Sequence, residues 1–286
     1  MPELPEIETI KLGLRKNLIG HTIIDVKVNI PKMFIGKKED ILGAKVVNLQ
    51  RIGKGLIIEL NNGFLLVVHL KMTGQLVFRD AKNNKPLSLK VGGSTLPSKY
   101  THIIFTLDNA TLYYNDLRQF GWVKVLKKNE LMQMPFFKEM GPEPKVANDL
   151  AGKELTFSYF KETVLKSNLP IKVLLMDQKK IGGIGNIYAN DALFEAGIDP
   201  RRKGKTLSEK ELDSLYKAIF VILRKSLEYG GSSDENFVNA LGQEGAYQNH
   251  TLVYGKKGQR CPRGNGIIEK IMLGGRGTFF CGKCQK

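Results

Sequence analysis

Along the chain, the spacing of apolar positions changes character twice before it reaches a cysteine-bearing end. Residues 5–19 repeat at helical intervals. Pro5 suits a first helical turn, and Ile7, Ile10, Leu14 and Leu18 fall on one face. From about 22 to 127 the period becomes two. GLIIELNNGFLLVVHL (55–70) reads as two apolar strands around an Asn-Asn-Gly turn, and HIIFTLDNATLYYN (102–115) repeats the arrangement around Asp-Asn-Ala. Hairpins of this kind predict an antiparallel β-sandwich. Residues 80–99 between them, rich in Gly, Ser, Pro and Lys, predict a long loop.

Near Gly141-Pro142-Glu143-Pro144 the pattern turns helical. PIKVLLMDQ (170–178) and GNIYANDALFEAG (185–197) predict two short helices. A longer one opens at Ser208, which forms a capping box with Glu211, while Leu207 and Leu212 supply a staple. Leu212, Leu215, Ile219 and Ile222 mark its buried face, and Gly230-Gly231 ends it. The expected architecture is α+β and multidomain. Residues 1–140 form an antiparallel β-sandwich with an N-terminal helix, 141–250 a helical domain, and 251–286 a small β-hairpin that carries the cysteines.

Composition sets the class. Of 286 residues, 42% are hydrophobic and 25% charged, a globular balance that excludes a largely disordered chain. No apolar run approaches the ~18 residues of a membrane span. MPELPEIETI has acidic residues and no basic n-region, so it does not read as a secretory signal, and a cytoplasmic location is expected. Lys and Arg total 44 against 28 Asp and Glu, a net charge of +16 that points to a polyanionic partner, although charge alone does not separate nucleic acid from a generally basic surface. From Thr251 onward the basic residues are opposed only by Glu269. All three cysteines, Cys261, Cys281 and Cys284, lie in this basic module, and their clustering favours a metal over a disulfide framework.

The first residues carry candidate chemistry. Removal of Met1 leaves Pro2 as a secondary amine, and an α-amino group with a pKa near ~8 keeps a nucleophilic fraction at neutral pH. Attack of such an amine on a sugar C1′ gives an iminium that is cationic without further protonation, an electron sink for elimination. Glu3 stands next to it as an acid/base group beside a helix N-terminus. On the residues alone, a plain helix start with Pro and Glu in their usual places is the favoured reading.

A set of ordered motifs goes further. PELPEIETI, RIGKG (51–55), HLKMTG (69–74), NDLRQFG (115–121), GPEP (141–144), IKVLLMDQ (171–178), GIGNIYAND (183–191) and the run VYGKKGQRCPR…GGRGTFFCGKCQ span essentially the whole chain. Together they resemble the formamidopyrimidine-DNA glycosylase family, bifunctional base-excision repair enzymes. The resemblance implies that Pro2 is the nucleophile, that Glu3 protonates the opening sugar, and that Lys54 is a phosphate-contacting acid/base lysine. It implies that Met72, Arg118 and Phe120 fill the gap left by a flipped nucleotide, which suits apolar wedges and a hydrogen-bond donor. It also implies a helix-two-turn-helix domain, with Asn186 and Lys172 on the DNA backbone and Arg276 clamping phosphates from a zinc-finger hairpin. Gly183 and Gly185, just before a helix start, allow the close approach a phosphate needs. The implied activity is release of oxidised purines such as 8-oxoguanine and formamidopyrimidines, followed by β,δ-elimination at the abasic site. The implied partner is double-stranded damaged DNA, bound by a monomer.

Two positions depart from the family pattern. Its finger has four cysteines, C-x2-C-x16-C-x2-C; here Gly264 stands at the second, so zinc is either held by Cys261, Cys281, Cys284 and a water or is lost. His250, eleven residues before Cys261, has no ligand spacing. In the segment 232–237, where relatives often carry a basic residue ahead of the loop covering the flipped base, this chain has Asp234 and Glu235. Two other readings stand beside the first: an endonuclease VIII type acting on oxidised pyrimidines, against which Leu4 argues because that branch usually has Gly there, and a non-catalytic damaged-DNA-binding protein, against which Pro2, Glu3 and Lys54 argue.

Overall fold

The computed structural model describes residues 1–83, 87, 95–147 and 151–286. Of the predicted loop 80–99, residues 84–86 and 88–94 lie outside that range.

Helix α1 (Leu4–Leu18) forms where the helical period predicts it, and Ile7, Ile10, Leu14 and Leu18 are all buried. Strands β1 (Ile23–Val28), β2 (Phe34–Ile35), β3 (Val46–Ile52), β4 (Gly55–Leu60), β5 (Phe64–His69), β6 (Gly74–Asp80), β7 (Thr101–Leu107), β8 (Ala110–Asp116) and β9 (Trp122–Lys127) follow. They make two sheets, ordered β1-β7-β8-β6 and β2-β9-β5-β4-β3. The two predicted hairpins are β4–β5, with Gly55 opposite His69, and β7–β8, with Thr106 opposite Thr111. Pairing is antiparallel except for the short β2, which runs parallel to β9. Leu56, Ile58, Leu66 and Val68 from one sheet, Leu76, Phe78, Phe105 and Leu112 from the other, and the α1 face share one apolar core. Alternate positions of these strands thus fill the sandwich interior, the main stabilising burial of this part.

The helices are α2 (Pro135–Lys138), α3 (Phe157–Leu165), α4 (Ile171–Met176), α5 (Asn186–Ala196) and α6 (Glu209–Glu228), before a terminal hairpin of β10 (Glu269–Leu273) and β11 (Arg276–Phe280). The α6 capping box is in place: Ser208 N–H donates to the Glu211 carboxylate at 2.7 Å, and Glu211 N–H donates to Ser208 Oγ at 3.4 Å. Its predicted apolar face is buried.

Two compact units result, Met1–Lys138 with Leu227–Gln248, and Glu139–Ser226 with Asn249–Lys286. Residues 227–248 therefore fold with the sandwich. Phe78 N–H donates to the Ala240 carbonyl at 2.8 Å, Gln75 Nε2 donates to the Asn236 carbonyl at 2.6 Å, and Phe237 and Ala240 enter the sandwich core. No helix among the described residues is long and apolar enough to cross a membrane.

Candidate active site

The sandwich unit holds Pro2, Glu3, Lys54, Met72, Arg118 and Phe120; the helical unit holds Lys172, Asn186, Arg276 and the cysteines. Pro2 and Glu3 are both buried at the head of α1, while Met1 is exposed. Glu6, buried one turn along, fixes them: one carboxylate oxygen accepts the Glu3 N–H and the other the Ser232 N–H, each at 2.8 Å. The chain start is thereby joined to the segment 231–237. A Cβ on Gly231 would lie 2.9 Å from the Phe237 ring and 3.1 Å from Glu6 Oε1, and its φ of +85° is one that L side chains rarely adopt. Glu235, in the same segment, places its carboxylate 3.4 Å from the Met1 ammonium.

Lys54 sits in the tight β3–β4 turn and is also buried. The turn is held from below. Arg51 donates from Nε to Glu8 at 2.8 Å and from Nη1 to the Gly53 carbonyl at 2.8 Å, while Lys11 pairs with Glu8 at 2.6 Å. Glu8, Lys11 and Arg51 are each at most 3% exposed, so both cations share one carboxylate out of water. The ion pair spans α1, which carries Pro2 and Glu3, and the turn that carries Lys54. Opposite Gly55 lies His69, whose pKa is pulled down to about 3, chiefly by burial and then by the charges of Lys71 and Lys54. A neutral ring is what its contact needs, because Nδ1 accepts the Lys71 N–H at 2.9 Å and shapes the turn leading to Met72.

Met72, Arg118 and Phe120 come together, although 46 residues separate the first two. The Arg118 Nη1 lies 3.0 Å from the Met72 sulfur, and its guanidinium stacks 4.8 Å from the Phe120 ring centroid. Buried Asp116 organises both loops. Its Oδ1 accepts the Thr73 hydroxyl at 2.5 Å and the Arg118 N–H at 3.1 Å, and its Oδ2 accepts the Gly121 N–H at 2.8 Å. Phe120 is left 54% exposed, which a core residue would not be; Met72 is half-buried and Arg118 exposed.

In the helical unit Asn186 opens α5, behind Gly185 as N-cap, so the first-turn N–H groups lie at the Gly-rich turn. Gln178 braces that turn, accepting the Gly183 N–H at 2.9 Å and donating to the Ile184 carbonyl at 2.7 Å. Arg276 is exposed at the head of β11. Lys172, expected on the DNA backbone, is buried, and its ammonium donates to the Gly277 carbonyl at 2.9 Å and the Thr278 hydroxyl at 2.7 Å. It ties α4 to the hairpin that presents Arg276.

The sulfurs of Cys261, Cys281 and Cys284 lie within 4.8 Å of one another, and no His, Asp or Glu among the described residues joins them, His250 included. Three convergent thiols on paired tight turns fit a zinc ion with one position left to a ligand from outside the side-chain set.

Glu6, His69, Asp116 and Gln178 were not singled out from the sequence. Glu6 had a signal, since its carboxylate stands where a helix-opening acid can reach back to the N-cap N–H. For the other three the signal was absent, because each acts on backbone groups that only the fold assembles.

A sandwich with a buried, braced N-terminus, a helical unit with a Gly-rich turn before a helix, and a thiol-bearing hairpin define a class of nucleic-acid enzyme. Family models match each part: the formamidopyrimidine-DNA glycosylase N-terminal domain over residues 1–123, the formamidopyrimidine-DNA glycosylase H2TH domain over 140–238, and the zinc finger found in FPG and IleRS over 258–286. The chain belongs to the formamidopyrimidine-DNA glycosylase family. It is 39% identical to the formamidopyrimidine-DNA glycosylase of Carboxydothermus hydrogenoformans over 100% of both chains. It is similar to Lactococcus lactis Fpg solved with DNA containing an abasic site (TM-score 0.87, 31% identity) and to a mutant of that protein with Fapy-dG-containing DNA (TM-score 0.87, 32% identity), each over 100% of both chains.

Proposed function

We propose that this chain is a base-excision repair DNA glycosylase with abasic-site lyase activity, acting as a monomer on double-stranded DNA that contains oxidised purines. The observation that carries the reading is the doubly fixed N-terminus: Glu6 holds Glu3 and Ser232, and Glu8 with Arg51 holds the turn of Lys54. With Met1 removed, the Pro2 nitrogen attacks C1′ of the lesion nucleotide, the bond from C1′ to the base breaks, and the base leaves with a proton. Glu3 donates the proton that opens the sugar ring. The resulting iminium acidifies the C2′ proton, so the 3′ phosphate departs first and the 5′ phosphate second. Lys54 holds a phosphate and moves protons in these steps. Met72 and Phe120 occupy the unstacked step, and Arg118 donates to the base left unpaired. Asn186 and Arg276 bind backbone phosphates, Lys172 sets the hairpin of Arg276, and Cys261, Cys281 and Cys284 hold zinc.

Borohydride reduction during reaction with 8-oxoguanine or abasic-site DNA tests this. The mature protein should be trapped covalently through Pro2, and retention of one extra N-terminal residue should abolish trapping. Cross-linking of a blocked Pro2 at the original rate would refute the assignment. A lesion panel separates purine from pyrimidine preference.

A further inference from the structure

The cysteine module carries the same backbone turn twice. Cys284 N–H donates to the Cys281 carbonyl at 3.1 Å, and Gly264 N–H donates to the Cys261 carbonyl at 3.3 Å. Residue 264 therefore stands to Cys261 as Cys284 stands to Cys281. The Cβ direction agrees. A Cβ built on Gly264 would lie 3.8 Å from the Cys284 sulfur and meet nothing else within 4 Å beyond its own chain neighbours. On Gly266 a Cβ would come within 2.3 Å of the Cys281 sulfur, so backbone closes the cluster there. The side facing Gly264 is open.

Zinc takes four ligands in a tetrahedral site, and structural sites fill all four from the protein. Here three sulfurs converge, the Cys261 and Cys284 sulfurs 3.5 Å apart, and no fourth His, Cys, Asp or Glu joins them among the described residues. Thiolate-rich sites favour soft donors, which singles out sulfur among small ligands in solution.

We propose that the hairpin holds zinc through Cys261, Cys281 and Cys284 and keeps an exchangeable fourth position on its Gly264 side, a binding site for a small thiol. The thiol binds as thiolate, displacing water and giving its proton to the buffer, with no change of oxidation state. The module is then a ligand-accepting metal site as well as a structural one.

The full-length protein loaded with one equivalent of cobalt(II) tests this without any measurement on DNA. Sulfur-to-cobalt charge-transfer absorption follows the number of thiolates, so the wild type should begin at about three quarters of the Gly264→Cys value. Adding 2-mercaptoethanol should raise the wild type saturably to the level of the variant and leave the variant unchanged. Gly264→Ala should respond as the wild type does. Zinc-edge X-ray absorption of the wild type should count three sulfurs and one lighter atom, which decides the matter even where Gly264→Cys fails to fold. Failure to retain one metal, four protein sulfurs at the outset, or stripping of the metal by the thiol without a saturable rise would each overturn the proposal.

Discussion

Arg51 and Glu8 meet at 2.8 Å, both out of contact with water, and join α1, at whose head Pro2 lies, to the turn of Lys54. Lys11 shares the same carboxylate. Removing Glu8 takes a shared carboxylate from two buried cations, whereas removing Arg51 leaves Glu8 with Lys11. Glu8→Ala should therefore destabilise the protein by about 3–5 kcal/mol, more than Arg51→Ala, in urea titration. Equal losses would show that the triad is not the unit described.

Asp116 holds three donors from two loops. Asp116→Ala should let Arg118 and Phe120 drift from Met72, and misplacement near 1 Å lowers rates by about tenfold to a hundredfold. Excision from lesion duplexes should fall by that factor. Borohydride trapping on single-stranded abasic DNA, which has no stack to fill, should change little.

His69 gives a pH signature. Its folded pKa, about 3, lies below the ordinary value of 6.5. Between those values the unfolded chain takes up a proton that the folded one refuses, so its contribution is complete above pH 6.5 and lost as pH falls toward 3. The slope approaches roughly 1 kcal/mol per pH unit in that window. His69→Gln should flatten stability between pH 6 and 4 by about this amount, measured by denaturant midpoints at each pH. An unchanged slope would place the acid sensitivity elsewhere.

Arg276 and Lys172 should separate cleanly. Arg276→Ala removes an exposed guanidinium proposed to bind phosphate and should lower the salt slope of DNA binding by about one. Lys172→Ala cuts two bonds to the hairpin and should raise hydrogen exchange at residues 277–279. It acts on affinity through that loosening. Asn190 and Asp191 continue to hold the module, accepting N–H groups of Phe279, Leu252, Val253 and Tyr254, so chelation of metal should disturb exchange less than Asp191→Ala does.

Periodicity made much of this fold legible. The α1 face, the β4–β5 and β7–β8 hairpins and the α6 capping box depend on neighbours within a few residues, and local sequence writes those contacts directly. The parallel β2–β9 pair and the return of residues 227–248 to the sandwich depend on partners far along the chain. In the site, Met72, Arg118 and Phe120 were readable from motifs, and their meeting supports grouping them. The burial of Lys172 was not readable, because a lysine reads as solvent-facing until the fold supplies acceptors such as the Gly277 carbonyl.

The contact between Glu6 and Ser232 joins residues 226 positions apart. During synthesis Pro2, the proposed nucleophile, is made long before this brace. A nascent chain therefore carries Pro2 at the head of a helix lacking one of its anchors until most of the protein has been made.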